Sequence, residues 1–230
     1  MAVYRNGLER MQDEWKTFKA KTFREKVRHI VTYEKHLLLI LAVLVLAGFY
    51  GYDIIQRQHQ ELLLQGFFTN DAPNYFPAQK LQKEYAEHLH AGKNQRVAFE
   101  DALYIDLGGG AETLSSASNG KVIAYIAARE LDFIVTERSV AEYYMGYLPL
   151  LDLSKQLPAD LLEQHQDALR TGTNELGEDG AYALDLRGSR FVPEDAPEGV
   201  EFDILVPTAA PRPEAVWEFL RYAFDTEGEG

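Results

Sequence analysis

HLLLILAVLVLAGFYGY, residues His36–Tyr52, is the stretch that decides how this chain is read. It is seventeen residues long and carries no formal charge at neutral pH; Lys35 closes it on one side and Asp53 on the other. With Ile54 and Ile55 it approaches the ~20 apolar residues, at ~1.5 Å each, that cross a ~30 Å hydrocarbon layer. A core helix of this length carries a polar stripe, and this one has none. A cleaved signal peptide follows a short basic segment and ends in a small-x-small site. Here thirty-five residues come first, and the exit, Ala47-Gly48-Phe49-Tyr50, is bulky. The expectation is a retained single-span anchor over 36–55, with Leu37, Leu41, Leu44, Ala47 and Phe49 among its membrane-spanning residues.

Charge fixes the expected orientation. Residues 1–35 hold nine Lys/Arg and five Asp/Glu, a net of +4. The remainder holds 14 basic and 31 acidic residues, a net of −17. Lys21, Arg24, Lys26, Arg28 and Lys35 precede the span, and only Arg57 shortly follows it. Positive residues stay inside, so the N-terminus is expected in the cytoplasm and the acidic remainder outside the cell membrane. Residues 4–32 carry an imperfect apolar stripe beside Arg10, Lys16, Lys19, Lys21 and Arg24, the pattern of a basic amphipathic helix. Such a helix lies on an anionic leaflet, docks on a partner, or is simply a positive flank.

The outer part is large enough for one domain, expected over 62–225 after a stalk at 56–61 and before a tail at 226–230. Its acidity argues against nucleic acid, whose phosphates require a basic surface. The chain has no cysteine, which removes thiol catalysis and Cys-based zinc sites. Leu62–Thr69 reads as a buried strand, Asn74–His90 as a helix, Arg96–Leu107 as a strand, and Ser116–Arg129 as a helix capped by Ser118 or Asn119. Leu131–Thr136 reads as a strand and Ser139–Met145 as a helix. Ala159–Leu169 is helical and Thr171–Gly180 an acidic, Gly-rich loop. Ala181–Leu186 and Phe202–Val206 are strands, and Pro213–Phe224 is the last helix, with Pro in its first turn. Strands alternating with helices predict a three-layer α/β/α domain with a mainly parallel sheet.

Three segments resemble a known family. Gly120–Val135 (GKVIAYIAARELDFIV) is similar to the "I-A-A-G-E-x-D" helix end and following strand of bacterial extracellular solute-binding proteins. Tyr143–Leu157 (YYMGYLPLLDLSKQL) resembles that family's "Leu-x-Asp-Leu-Ser" segment. Phe202–Phe224 resembles its late strand and "x-x-P-E-A-A-x-x-F-L" helix. The family's usual junction glycine is Arg129 here, and the chain has residues for about one of the family's two lobes. The resemblance implies a type II periplasmic-binding-protein-like fold, no enzyme activity, and a role as a binding or accessory subunit of an ABC-type transport complex. Its partners would be the lipid bilayer, a transporter permease and a small polar solute.

Ligands of open α/β sheets sit beyond the carboxyl ends of the strands. That rule selects Thr69, Asn70 and Asp71; Gly108, Gly109, Gly110, Ser115 and Ser116; and Thr136 and Glu137. Hydroxyls, a carboxylate and backbone N–H groups at a helix start suit a polar or anionic small molecule. The same residues are also ordinary turn formers. The Gly triplet lacks the Lys-Ser/Thr of a P-loop. Glu175, Glu178 and Asp179 fit no calcium loop. His88 and His90, two apart on a helix, make a poor metal pair. Asp101, Asp106, Asp132 and Asp185 are candidate carboxylates with no nucleophile placed beside them. No cofactor, metal or catalytic set is expected.

Overall fold

The computed structural model describes residues 35–58, 60–108, 112–197 and 199–225. The amphipathic helix expected over 4–32 and the tail at 226–230 lie outside them, as do Gly109 and Gly110. The chain divides into two compact units, Met1–His59 and Gln60–Gly230.

In the first unit, α1 (Lys35–Gln58) is a 24-residue helix. Residues 39–50 are exposed on every side, with Leu39 at 67%, Leu44 at 63% and Phe49 at 72%. Leu41 and Ala47 are exposed as well; of Leu37 the helical backbone alone is described. Among the described residues no helix is long and apolar enough to cross a membrane. The described side chains of α1, residues 39–50, cover ~18 Å at ~1.5 Å each, while the helical backbone runs on at both ends.

The second unit is α/β, built on a six-stranded sheet in the order β2-β1-β3-β6-β5-β4. The strands are β1 (Glu61–Thr69), β2 (Gln95–Leu103), β3 (Phe133–Glu137), β4 (Leu169–Thr173), β5 (Asp179–Asp185) and β6 (Phe202–Leu205). The helices between and after them are α2 (Ala78–His88), α3 (Glu112–Ala127), α4 (Arg138–Met145), α5 (Leu153–Gln156), α6 (Ala159–His165) and α7 (Pro213–Phe224).

The sheet corrects one expectation: it is mixed, not mainly parallel. β1 runs parallel to β2 and β3, whereas β3–β6, β6–β5 and β5–β4 are antiparallel. A continuous apolar run reports burial on both faces, and burial is blind to the neighbour's direction. The acidic loop expected at 171–180 is the core of a hairpin. β4 takes Leu169–Thr173, and the turn is closed by Asn174, whose backbone N–H donates to Glu178 O at 3.0 Å. Its Oδ1 also accepts from the N–H groups of Leu176 and Glu178. Helix α6 accordingly stops at His165.

Two apolar clusters cover the two faces. One gathers Leu64, Phe68, Phe133, Val135 and Ile204 with α2, α5, α6 and α7. The other gathers Phe67, Ile134 and Leu205 with α3 and α4. Neighbouring strand residues point to opposite faces, so all of β6 and β3 up to Thr136 are buried, with Glu137 half-buried at the end of β3. Aromatic rings fill the first layer: Phe133 stacks on Phe219 at 4.8 Å and meets Phe68 edge-on at 5.8 Å. The Phe133 ring lies directly over Gly66, where a Cβ would come within 2.1 Å of its Cζ.

The ends of the helices follow local chemistry. Helix α2 begins at Ala78 rather than Asn74, because the Asp71 carboxylate accepts the Tyr75 and Phe76 N–H groups at 2.8 and 2.6 Å and holds 74–77 as a loop. Helix α3 begins before Ser116, so Ser118 and Asn119 lie within it instead of capping it. It ends in a Schellman turn: Glu130 N–H donates to Tyr125 O at 2.9 Å and Arg129 N–H to Ile126 O at 3.0 Å. Arg129 adopts φ 57°, the left-handed conformation that favours glycine. The buried Asp132 three residues on from it takes the Arg212 guanidinium at 2.8 Å, the Gln65 N–H at 2.7 Å and the Arg212 N–H at 3.1 Å. Arg212 also donates to Leu62 O at 3.2 Å. This clamp ties the start of β3 to β1 and to the start of α7, eighty residues away.

Arg129→Gly is expected to raise unfolding stability by about 1 kcal/mol; an unchanged or lower thermal midpoint contradicts this. Gly66→Ala is expected to cost roughly 1–3 kcal/mol through overpacking against Phe133, measured by chemical denaturation.

Candidate functional site

Helix α2 carries the chain from β1 to β2 on one face of the sheet, and α3 carries it from β2 to β3 on the other. The carboxyl ends of β1 and β3 are therefore neighbours at a topological switch point. Thr69, Asn70, Thr136 and Glu137 all meet there. The Thr69 and Thr136 hydroxyls bond to each other at 2.6 Å.

Asn70 fills the crevice itself. Its Nδ2 donates to Ile105 O at 2.7 Å and to Glu137 Oε1 at 2.9 Å, and its Oδ1 accepts the Ile105 N–H at 2.7 Å. It sits at φ 59°, a conformation that asparagine tolerates better than most residues. Ser139 Oγ donates to the same Glu137 oxygen at 3.1 Å. The polar groups selected from sequence thus satisfy one another and join three strand ends.

The remaining selected residues are not part of this knot. Asp71 faces its own loop. Gly108 N–H donates to Asp106 Oδ1 at 2.7 Å. Ser116 is exposed on α3, and of Ser115 the helical backbone alone is described. Among the described residues no cluster of His, Asp and Glu is arranged to hold a metal ion. Asp101 accepts the Ala78 N–H at 2.9 Å at the start of α2.

A second polar group continues the row across the sheet. Thr136 pairs in register with Asp203 of β6, and Asp203 with Asp185 of β5. Arg138, the first residue of α4, reaches Asp185 at 3.1 Å, Asp203 at 3.5 Å and also Glu201. Arg170 of β4 pairs with Asp185 and lies 3.9 Å from Asp203 Oδ1. Asp203 is 1% exposed, and its Oδ1 has no hydrogen-bond partner. Burial pushes its carboxyl up to about 6; the Asp185 charge adds to this, while Arg138 and Arg170 pull against it.

Sequence reading named Asp185 but missed Asp203, Arg138 and Arg170. The available signal was an aspartate inside the apolar run FDILV, which a buried strand accepts only with a partner. The partners lie 65 and 33 residues away in sequence, beyond any local spacing rule.

An open groove of about 500 Å³ lies elsewhere, between α2, α7 and the loop after β5. The Arg190 guanidinium sits 3.9 Å from the centre of the Tyr222 ring on its wall, and His88 packs on the same ring at 4.7 Å.

No protein-family model matches the chain, and neither the curated proteins nor the solved structures give a match.

Asn70→Ala leaves the Ile105 N–H and C=O buried without partners. It is expected to cost about 2 kcal/mol, seen as a lower denaturant midpoint with an unchanged slope. A loss below a few tenths would show that the knot contributes nothing.

Proposed function

We propose that this chain is a single-pass membrane protein whose acidic α/β domain lies outside the cell. There it acts as a non-enzymatic docking or accessory subunit of a membrane complex, such as a transport complex built around a permease. The observation that carries this reading is the exposure of α1. Residues 39–50 are apolar and uncovered all round, an arrangement that water opposes and lipid or a partner helix accepts. The charge step across it, +4 before and −17 after, supplies the orientation.

Two observations favour docking over solute capture. The crevice at the switch point is filled by Asn70, and its hydroxyls bond to each other. The second unit is also built on one sheet rather than two lobes flanking a cleft. The resemblance to solute-binding proteins rests on its three segments. Arg129 holds a left-handed conformation of the kind that favours glycine, the residue the family has at that junction, which supports the resemblance.

Leu44→Lys tests the placement. A lysine at the centre of a span costs roughly 2.5–3.5 kcal/mol of insertion. The variant is expected to leave the membrane fraction in large part, whereas Lys93→Leu on the domain surface has no such effect. Equal membrane retention of Leu44→Lys contradicts the reading. Thermal scans of the full chain with sugars, amino acids, peptides and oxyanions separate the two roles. Docking predicts no shift with any of them, and a ligand-dependent rise in midpoint restores capture.

A further inference from the structure

The two helix layers of the second unit are unequal. Helices α2, α5, α6 and α7 cover one face of the sheet, and α3 and α4 cover the other. The thinner layer is the one that leaves large apolar side chains bare. Ile123 on α3, Tyr143 on α4 and Tyr147 just after it are exposed, and the two tyrosine rings stack at 5.3 Å. Tyr104, also exposed, lies in the segment leading into α3, where its N–H donates to Ser118 Oγ at 3.3 Å. Tyr144 Oη donates to Asn119 Oδ1 at 3.1 Å and holds α4 to α3. Among the described residues, the helices of the other layer expose no large apolar side chain. Helix α2 instead turns Lys80, Lys83, Glu84 and Glu87 outward.

The α3–α4 face is also short of charge. Residues 116–128 hold one charged side chain, Lys121, and its ammonium donates to both Glu100 oxygens at 2.6 Å. On α4, Arg138 is turned to Asp185 and Asp203, which leaves Glu142 as the exposed charge of that helix. The chain after residue 35 carries a net charge of −17, which drives copies apart wherever their acidic surfaces meet. A partner of opposite charge is drawn to those acidic surfaces. A partner of like charge approaches best where charge is sparse, and a second copy of the chain has like charge by construction.

We infer that the α3–α4 face is a self-association surface, on which a second copy of this chain seats its own α3–α4 face. The contact is isologous: a two-fold axis sets α3 against the α3 of the second copy. Ile123 and the stacked tyrosines form the apolar, charge-poor centre that homodimer interfaces have. Gly120 and Ala124 lie exposed on α3 beside Ile123, and the space around Gly120 is open, so the two helices can approach closely. This goes beyond docking on a membrane complex and does not depend on it, because the face belongs to residues 60–230 wherever the domain lies.

The test uses the full chain in mild detergent, with micelles in excess over protein, and single cysteines, since the chain has none of its own. Ala124→Cys reports the α3 face, and Lys80→Cys reports the opposite layer. A short bis-maleimide is expected to join Ala124→Cys into dimers and to leave Lys80→Cys as monomers. Adding Ile123→Glu to Ala124→Cys sets like charges against each other across the contact. The crosslinked fraction is then expected to fall about tenfold. Tyr147→Glu, on a second element, is expected to do the same, so the misfolding of one variant does not end the test. Light scattering that finds monomers alone overturns the inference and leaves the face to another kind of partner. Equal crosslinking at the two cysteines overturns it as well, because that is the mark of association through α1. Crosslinking of Ala124→Cys that both glutamates leave unchanged also overturns it.

Discussion

Apolar side chains left bare on all sides of a helix require a surrounding other than water, and residues 39–50 impose that requirement on this protein. Leaving that many large apolar side chains in water, instead of burying them, costs on the order of 10 kcal/mol. That is as large as the whole stability of an ordinary domain. The membrane reading of the chain grows from this one constraint, and the charge step on either side gives it a direction.

Within residues 60–230 the long-range polar contacts do the joining. The Asp132–Arg212 clamp ties β3 to α7 and β1, so the sheet and its last helix close together. The knot of Asn70, Thr69, Thr136 and Glu137 ties three strand ends where other α/β proteins keep a ligand. The Arg138–Asp185–Asp203–Arg170 group ties the antiparallel half to β3. Each is a buried polar cluster whose breakage would strand a charge or an N–H, so each specifies register as well as adding stability. The crevice between these strand ends is filled by Asn70, which is what favours docking over capture in the proposed reading.

Much of this was legible in the sequence. The apolar runs expected at Leu62–Thr69, Leu131–Thr136 and Phe202–Val206 hold the strands Glu61–Thr69, Phe133–Glu137 and Phe202–Leu205, and Pro213–Phe224 is a helix with the expected bounds. Periodicity and turn residues are local signals, and these elements are locally specified. The misses are non-local. LRTGT is a strand because β5 stands beside it; alone it is too polar and glycine-rich to declare itself. Strand direction in the β6-β5-β4 half depends on a hairpin that composition presents as a loop. The gathering at the carboxyl ends of β1 and β3 was foreseen, but not that Asn70 would fill it, because the Ile105 backbone that receives it is 35 residues away.

Because the natural chain has no cysteine, single cysteines report placement without background. The most direct measurement is labelling of intact cells with a membrane-impermeant maleimide, using cysteines placed one at a time at Lys19, Leu44 and Lys93. The account predicts that Lys93→Cys is labelled from outside. Lys19→Cys is labelled only after the membrane is opened, and Leu44→Cys only after detergent. Labelling of Leu44→Cys without detergent, or labelling of Lys93→Cys only in opened cells, would contradict it.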